Sequence, residues 1–151
     1  MADLKTVKQA VVDKLASVTG IGKVQGYERY AKRNSDMLAL YKEGSQVLGW
    51  YVRRTKTSES SDYPGRWDRT YSWVIRGFMG LDDSEQTELL FDDLIEASCA
   101  AFRDDDTLGG VVDTCIIGNE AGIQVQDSGP VMFAGVLCHS ATLALNTRVW
   151  L

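Results

Sequence analysis

Two long extended segments joined by a polar, turn-rich stretch constrain this chain more than any other feature. Val47-Leu48-Gly49-Trp50-Tyr51-Val52-Arg53-Arg54-Thr55 alternates as a strand does. In the second segment, Trp67, Tyr71, Trp73, Ile75 and Met79 share one face, and Asp68, Thr70, Ser72 and Arg76 share the other. Between them, Thr57 to Arg66 includes Ser60-Ser61-Asp62 and Pro64-Gly65, which predicts a loop. Each arm of such a hairpin reaches roughly 35–40 Å at strand spacing. A small core does not need that length, so the hairpin reads as a surface built for a partner chain.

The rest of the chain supplies a core of ordinary size. Its 151 residues fit one domain, 44% hydrophobic and 25% charged. No apolar run is long enough for a membrane span, and the opening Met1-Ala2-Asp3-Leu4-Lys5 lacks the apolar centre of a secretion signal. Leu4, Val7, Val11, Leu15 and Val18 recur at helical spacing, which predicts an amphipathic helix over Asp3–Val18, stopped at Gly20-Ile21-Gly22. Val24–Ala31 reads as a short extended piece, Lys32–Ser35 as a turn, Met37–Tyr41 as a buried strand, and Lys42–Ser45 as a tight turn.

After Gly80 the period changes. Asp82 with Glu85, or Asp83 with Gln86, matches a capping box, and Leu90, Phe91, Leu94, Ile95, Ser98 and Phe102 form a helical stripe behind it. Val111–Ile117 and Ala121–Gln126 read as strands, Asp127-Ser128-Gly129-Pro130 as a turn, and Val131–Leu145 as a strand buried on both faces. The order predicts an α+β fold: a mixed or mostly antiparallel sheet with a long protruding hairpin and helices on one side.

Charge is unevenly placed within the net −5. Residues 82 to 106 hold ten acids against Arg103 alone, whereas the hairpin carries Arg53, Arg54, Lys56, Arg66, Arg69 and Arg76 against Glu59, Asp62 and Asp68. A basic arm and an acidic helix in one chain could meet head to tail in neighbouring copies. Two solvated faces that keep the protein dissolved are the plainer alternative.

No catalytic or metal motif stands out. Cys99, Cys115 and Cys138 are widely spaced, and the single histidine, His139, adjoins Cys138, so a four-ligand zinc site has no basis. A serine triad would need His139 beside Ser140, with no nucleophile elbow. Asp104-Asp105-Asp106 lacks the alternating spacing of a calcium loop. Gly20-Ile21-Gly22 lacks the remainder of a nucleotide-binding pattern. The expectation is a non-enzymatic protein without cofactor. Aromatics interleaved with arginines also suit single-stranded nucleic acid, but the acidic total favours a protein partner.

The element order carries a family resemblance. A helix at Leu4–Val18, a short strand through Met37–Tyr41, a long hairpin over Val47–Met79, an acidic helix opening with Asp82-Asp83-Ser84-Glu85, and late strands together resemble the tail terminator proteins of long-tailed bacteriophages. These are also called tail completion or minor tail U-like proteins. Trp73-Val74-Ile75-Arg76-Gly77-Phe78 ahead of the capped helix is the closest local likeness, and Gly118–Leu151 is longer than in compact members.

The resemblance implies a structural virion protein assembled in the host cytoplasm. It implies a homo-hexameric ring at the head-proximal end of the tail tube, which ends tube polymerisation and offers a joining surface to the head connector. Its partners would be copies of itself, the tail tube protein and neck proteins, with genome DNA passing through the lumen without specific binding and no membrane. Trp50, Arg53, Arg54, Trp67, Arg69 and Tyr71 are the candidate interface residues, with Asp92, Asp93 and Glu96 as their counterparts. Trp50 and Trp73 have core burial as the competing role. Another neck or connector protein, or a non-viral α+β ligand-binding module, are the alternative identities.

Overall fold

A computed structural model describes residues 2–151. Helix α1 spans Leu4–Ala16, and the Asp3 carboxylate accepts the Thr6 N–H at 2.9 Å as its N-cap. Val7, Val11 and Leu15 bury its apolar stripe completely. Gly20 and Gly22 both take positive φ, and a Cβ at Gly22 would run into the Leu48 carbonyl, so the chain turns tightly against the sheet there. Strand β1 (Lys23–Gln25) then pairs in parallel with Gly49–Tyr51 in the first strand of the long hairpin.

The strand expected at Met37–Tyr41 is instead part of helix α2, Asn34–Leu40. Met37, Leu38 and Leu40 pack beside the buried Tyr41, an i, i+1, i+3, i+4 grouping that suits one helical face as well as a buried strand. Strand β2 (Lys42–Glu43) leads through Gly44 into the hairpin.

The hairpin is more regular than its composition suggests. Strand β3 runs from Gln46 to Tyr63 and β4 from Arg66 to Gly80. The expected loop is therefore mostly strand, and Tyr63 pairs with Arg66 across a turn of Pro64 and Gly65 alone. Polar residues such as Thr57, Ser58 and Glu59 are held by their cross-strand partners Tyr71, Thr70 and Arg69. A bulge lies between Arg54 and Lys56.

The acidic segment begins with a 3₁₀ turn, Asp83–Glu85, before helix α3 at Thr87–Asp104. The expected capping box does not form, because Gln86 at φ 56° breaks the helical path between the acids and α3. The Thr87 hydroxyl instead accepts the Asp82 N–H at 2.9 Å. Phe91, Ile95, Ser98 and Phe102 are buried, whereas Leu90 is half-exposed on the far side.

Val111–Ile117 contributes only the short strand β5 (Ile116–Ile117), which pairs with β6 (Glu120–Ala121). Positive φ at Leu108, Gly109 and Gly110 commits the approach to turns. The turn expected at Asp127–Pro130 lies inside strand β7, Gln124–Phe133, with a bulge between Val125 and Asp127. Pro130 is tolerated there because β7 is an edge strand. The reversal comes at Ala134-Gly135, both at positive φ, as a two-residue hairpin requires. Strand β8, Val136–Trp150, completes the sheet.

The main sheet has the order β1-β3-β4-β8-β7, antiparallel except for β1. The fold is α+β. Helices α1 and α3 cover one face over Trp50, Val52, Tyr71, Trp73, Ile75, Leu143 and Leu145. The short α2 covers one end of the opposite face, where Tyr41 stands edge-on to Phe133 at 5.1 Å and Phe133 stacks on Phe78 at 4.1 Å. Beyond that cluster the second face is polar, with the Ser72 hydroxyl donating to Asn146 Oδ1 at 2.8 Å.

Candidate functional site

The two rims of the sheet differ in charge and both are open. On one rim, β1 covers the outer edge of β3 only at Gly49–Tyr51. From Arg53 to Tyr63 no strand pairs with that edge, and every side chain along it is exposed. On the other rim, β7 pairs with β8 alone. Unpaired edges present rows of backbone donors and acceptors that another chain can complete.

The basic rim is built by the hairpin. Arg53 is exposed and lies 3.6 Å from Glu28, and exposed Arg54 donates to the Thr57 hydroxyl at 3.1 Å across the bulge. Arg69 is used inside the arm, donating to Glu59 Oε1 at 2.8 and 3.1 Å and to the Tyr71 hydroxyl at 3.2 Å. Trp67 is half-exposed near the arm's end.

Two of the sequence-predicted interface residues are not on the surface. Trp50 is fully buried, stacked on Phe91 at 5.5 Å, with its indole N–H donating to the Ile21 carbonyl at 2.8 Å. Tyr71 is 2% exposed and packs beside Trp73. Both face α1 and α3, so neither ring can meet a partner. Trp73 is core as well, its N–H donating to the buried Thr147 hydroxyl at 2.9 Å.

The arm is not a bare hairpin, because β8 runs beside β4 as far as Trp150 opposite Asp68. Its end carries a cluster that sequence reasoning missed: the Arg66 guanidinium lies 5.1 Å from the Trp150 ring centre and 5.9 Å from that of Tyr63. Both aromatics are more than half exposed. Trp150 lies more than 80 residues from Arg66 in sequence, so only the β4·β8 pairing reveals the group.

The acidic rim is formed by α3 and the turn before it. Asp92, Asp93 and Glu96 are all exposed, with Asp92 and Glu96 one helical turn apart on the same side. Leu81, Asp83, Gln86, Thr87, Glu88, Leu89, Pro130 and His139 line a cleft of about 380 Å³ between the start of α3 and β7. There His139 Nε2 lies 2.7 Å from the Thr87 hydroxyl, a satisfied sheet histidine. Ser140 points to the opposite face and donates to the Gly129 carbonyl at 3.1 Å, so it makes no dyad with His139. Val125, Met132 and Leu137 are exposed apolar residues along the same rim.

Within the chain the two rims do not meet. The ion pairs among the described residues are Lys14–Asp105, Arg53–Glu28 and Arg69–Glu59, and none joins the arm to α3. No described group of three or more His, Cys, Asp or Glu side chains could hold a metal ion. No described helix is long and apolar enough to cross a membrane.

No protein-family model matches the sequence, and no curated protein does. Among solved structures, a chain from the "Virion of native gene transfer agent (GTA) particle" is similar over 94% of this chain and 94% of its own, at 10% identity and a TM-score of 0.35. A likeness that distant carries no functional conclusion.

Proposed function

We propose that this chain is a structural virion protein of a long-tailed phage. Copies of it form a closed, hexameric ring that caps the head-proximal end of the tail tube, stops tube growth and presents a joining surface to the head connector. The protein performs no catalysis and works through the tail tube protein, the neck proteins and itself. DNA passes through the lumen unbound.

The observation that supports this reading is the placement of complementary charge on opposite rims of one sheet. Arg53, Arg54 and Lys56 lie on the free β3 rim, whereas Asp83 and Glu88 line the cleft beside Pro130 of β7, with Asp92 and Glu96 exposed farther along α3. Surfaces that complement each other but sit apart on one molecule join copies head to tail, and such contacts close into rings when the rotation allows. The element order, with Met37–Leu40 helical where the resemblance has a strand, still resembles that of tail terminators in its first helix, long hairpin, acidic helix and late strands, and this supports the proposed location.

Native mass spectrometry across concentration, at low and high salt, tests the ring. A hexamer that salt weakens is the expected result, because exposed charge pairs are screened. A monomer or dimer under all these conditions, together with no retention on purified tail tubes, overturns the reading and favours a ligand-binding module.

A further inference from the structure

We infer that copies of this chain join by antiparallel pairing of the free β3 edge of one copy with the β7 edge of the next, so that one sheet continues through the assembly. This inference rests on the ring reading and states how the ring is held.

The strand directions permit it. Across the sheet β3, β4, β8 and β7 alternate in direction, so β7 runs opposite to β3. A neighbour in the same orientation therefore meets β7 with an antiparallel β3. The lengths also match, since eleven residues of β3 (53–63) face the ten of β7 (Gln124–Phe133). Alignment at the same height would fail, because β7 begins level with Arg53: Gln124 pairs with Ala144, Ala144 with Val74, and Val74 with Arg53. From there downward the neighbour's rim is taken by its own β1.

Strand tilt resolves this offset. Four strands span about 19 Å, and strands in closed barrels tilt by about 35–45°, so successive copies are displaced by about 13–19 Å, or about four to six residues, along the strands. The β7 segment from Gln124 to Gly129 then lies along Arg53–Ser60 of the next copy.

The charges agree with that offset. Asp127 pairs across with Thr142, Thr142 with Arg76, and Lys56 pairs with Ser72 on that same polar face. A displacement of about six residues sets Asp127 opposite Ser58 of the neighbour, on the same polar face as Lys56 and within diagonal reach of it. Pro130 is level with Leu48 by the same count, and the displacement brings Arg54 of the neighbour beside it. That places the guanidinium at the mouth of the cleft holding Asp83 and Glu88. The bulges in both strands and Pro130 are devices that blunt indiscriminate edge pairing. Only a rim with matching charge and offset is then a good partner.

A charge swap tests the pairing. Lys56→Glu and Asp127→Lys, both at exposed positions, are each expected to weaken self-association about tenfold, and the double variant to recover most of the loss. Hydrogen exchange on the assembled wild-type protein supplies a second readout, with amides in 53–63 and in 124–133 slowing together by about tenfold or more. A ring in which neither segment is protected, or a double variant no better than either single, overturns the edge pairing while leaving the ring reading intact. A wild-type protein monomeric at every concentration and on tubes overturns both.

Discussion

Trp50 and Gly77 are directly paired across β3 and β4, and the indole of the first lies over the backbone of the second. A Cβ at position 77 would occupy the space of the indole's six-membered ring. The contact sets how closely the hairpin strands approach Phe91 of α3, on which Trp50 stacks with its ring plane inclined by 19°.

Gly77→Ala must therefore displace a fully buried tryptophan. The expected cost is about 1–3 kcal/mol, the range for overpacking a tight core. Urea unfolding followed by tryptophan fluorescence measures it, and a midpoint equal to wild type would contradict the packing described.

Trp50→Phe keeps an aromatic ring against Phe91 but removes the indole N–H from the Ile21 carbonyl. Leaving that buried acceptor unpaired costs about 1–3 kcal/mol. The loss appears in the same unfolding experiment, and Trp67→Phe, half-exposed on the arm, serves as the near-neutral comparison.

Burial pushes the Cys115 thiol up to about 12 and Cys138 up to about 11, and raises half-buried Cys99 less strongly. At pH 8 a thiol reagent should label Cys99 first and leave the other two untouched until the protein unfolds. The sign of the pH effect follows from the raised values. The folded state holds these protons more tightly than the unfolded chain, so their contribution is full below the ordinary thiol value near 9 and is lost as pH rises through 11 to 12. Tyr41 and Tyr51, also raised by burial, act in the same direction. On the acid side, the Lys14 ammonium at 2.9 Å holds Asp105 below the usual carboxylate range, and that contribution disappears as pH falls through the lowered value. Melting temperatures measured from pH 3 to 11 should decline at both ends.

Reversing Arg53 and Arg54 together to glutamate should weaken association about tenfold or more while the monomer's melting temperature stays within a few degrees, because both side chains are exposed. Arg69→Glu is the informative comparison. Its charge is matched inside the arm by Glu59, so that change should loosen the arm more than the assembly. Sedimentation velocity at two salt concentrations separates these effects. Association unchanged by the double reversal would remove the arm from the interface.

Periodicity alone located α1, the body of α3, strand β4 and the first half of β3, because each carries its apolar residues at a spacing that a single element must bury. It fixed the one-sided faces of β4 as well, since Tyr71, Trp73, Ile75 and Met79 alternate along a strand. It also made the unequal charge of hairpin and helix visible, because charge is a property of composition. Tertiary structure decided what local chemistry left ambiguous. Met37–Tyr41 is apolar enough for either a strand or a helix, and the Tyr41 cluster selects the helix. Ser- and Thr-rich residues after Thr57 become strand because β4 supplies partners, and Asp127–Pro130 stays extended because β8 does. Whether a tryptophan is core or surface depends on which face meets α1 and α3, so Trp50 is buried, whereas Trp150 joins Arg66 and Tyr63 outside. Free edges are likewise invisible in a one-dimensional chain, because they are defined by neighbours that a strand does not have.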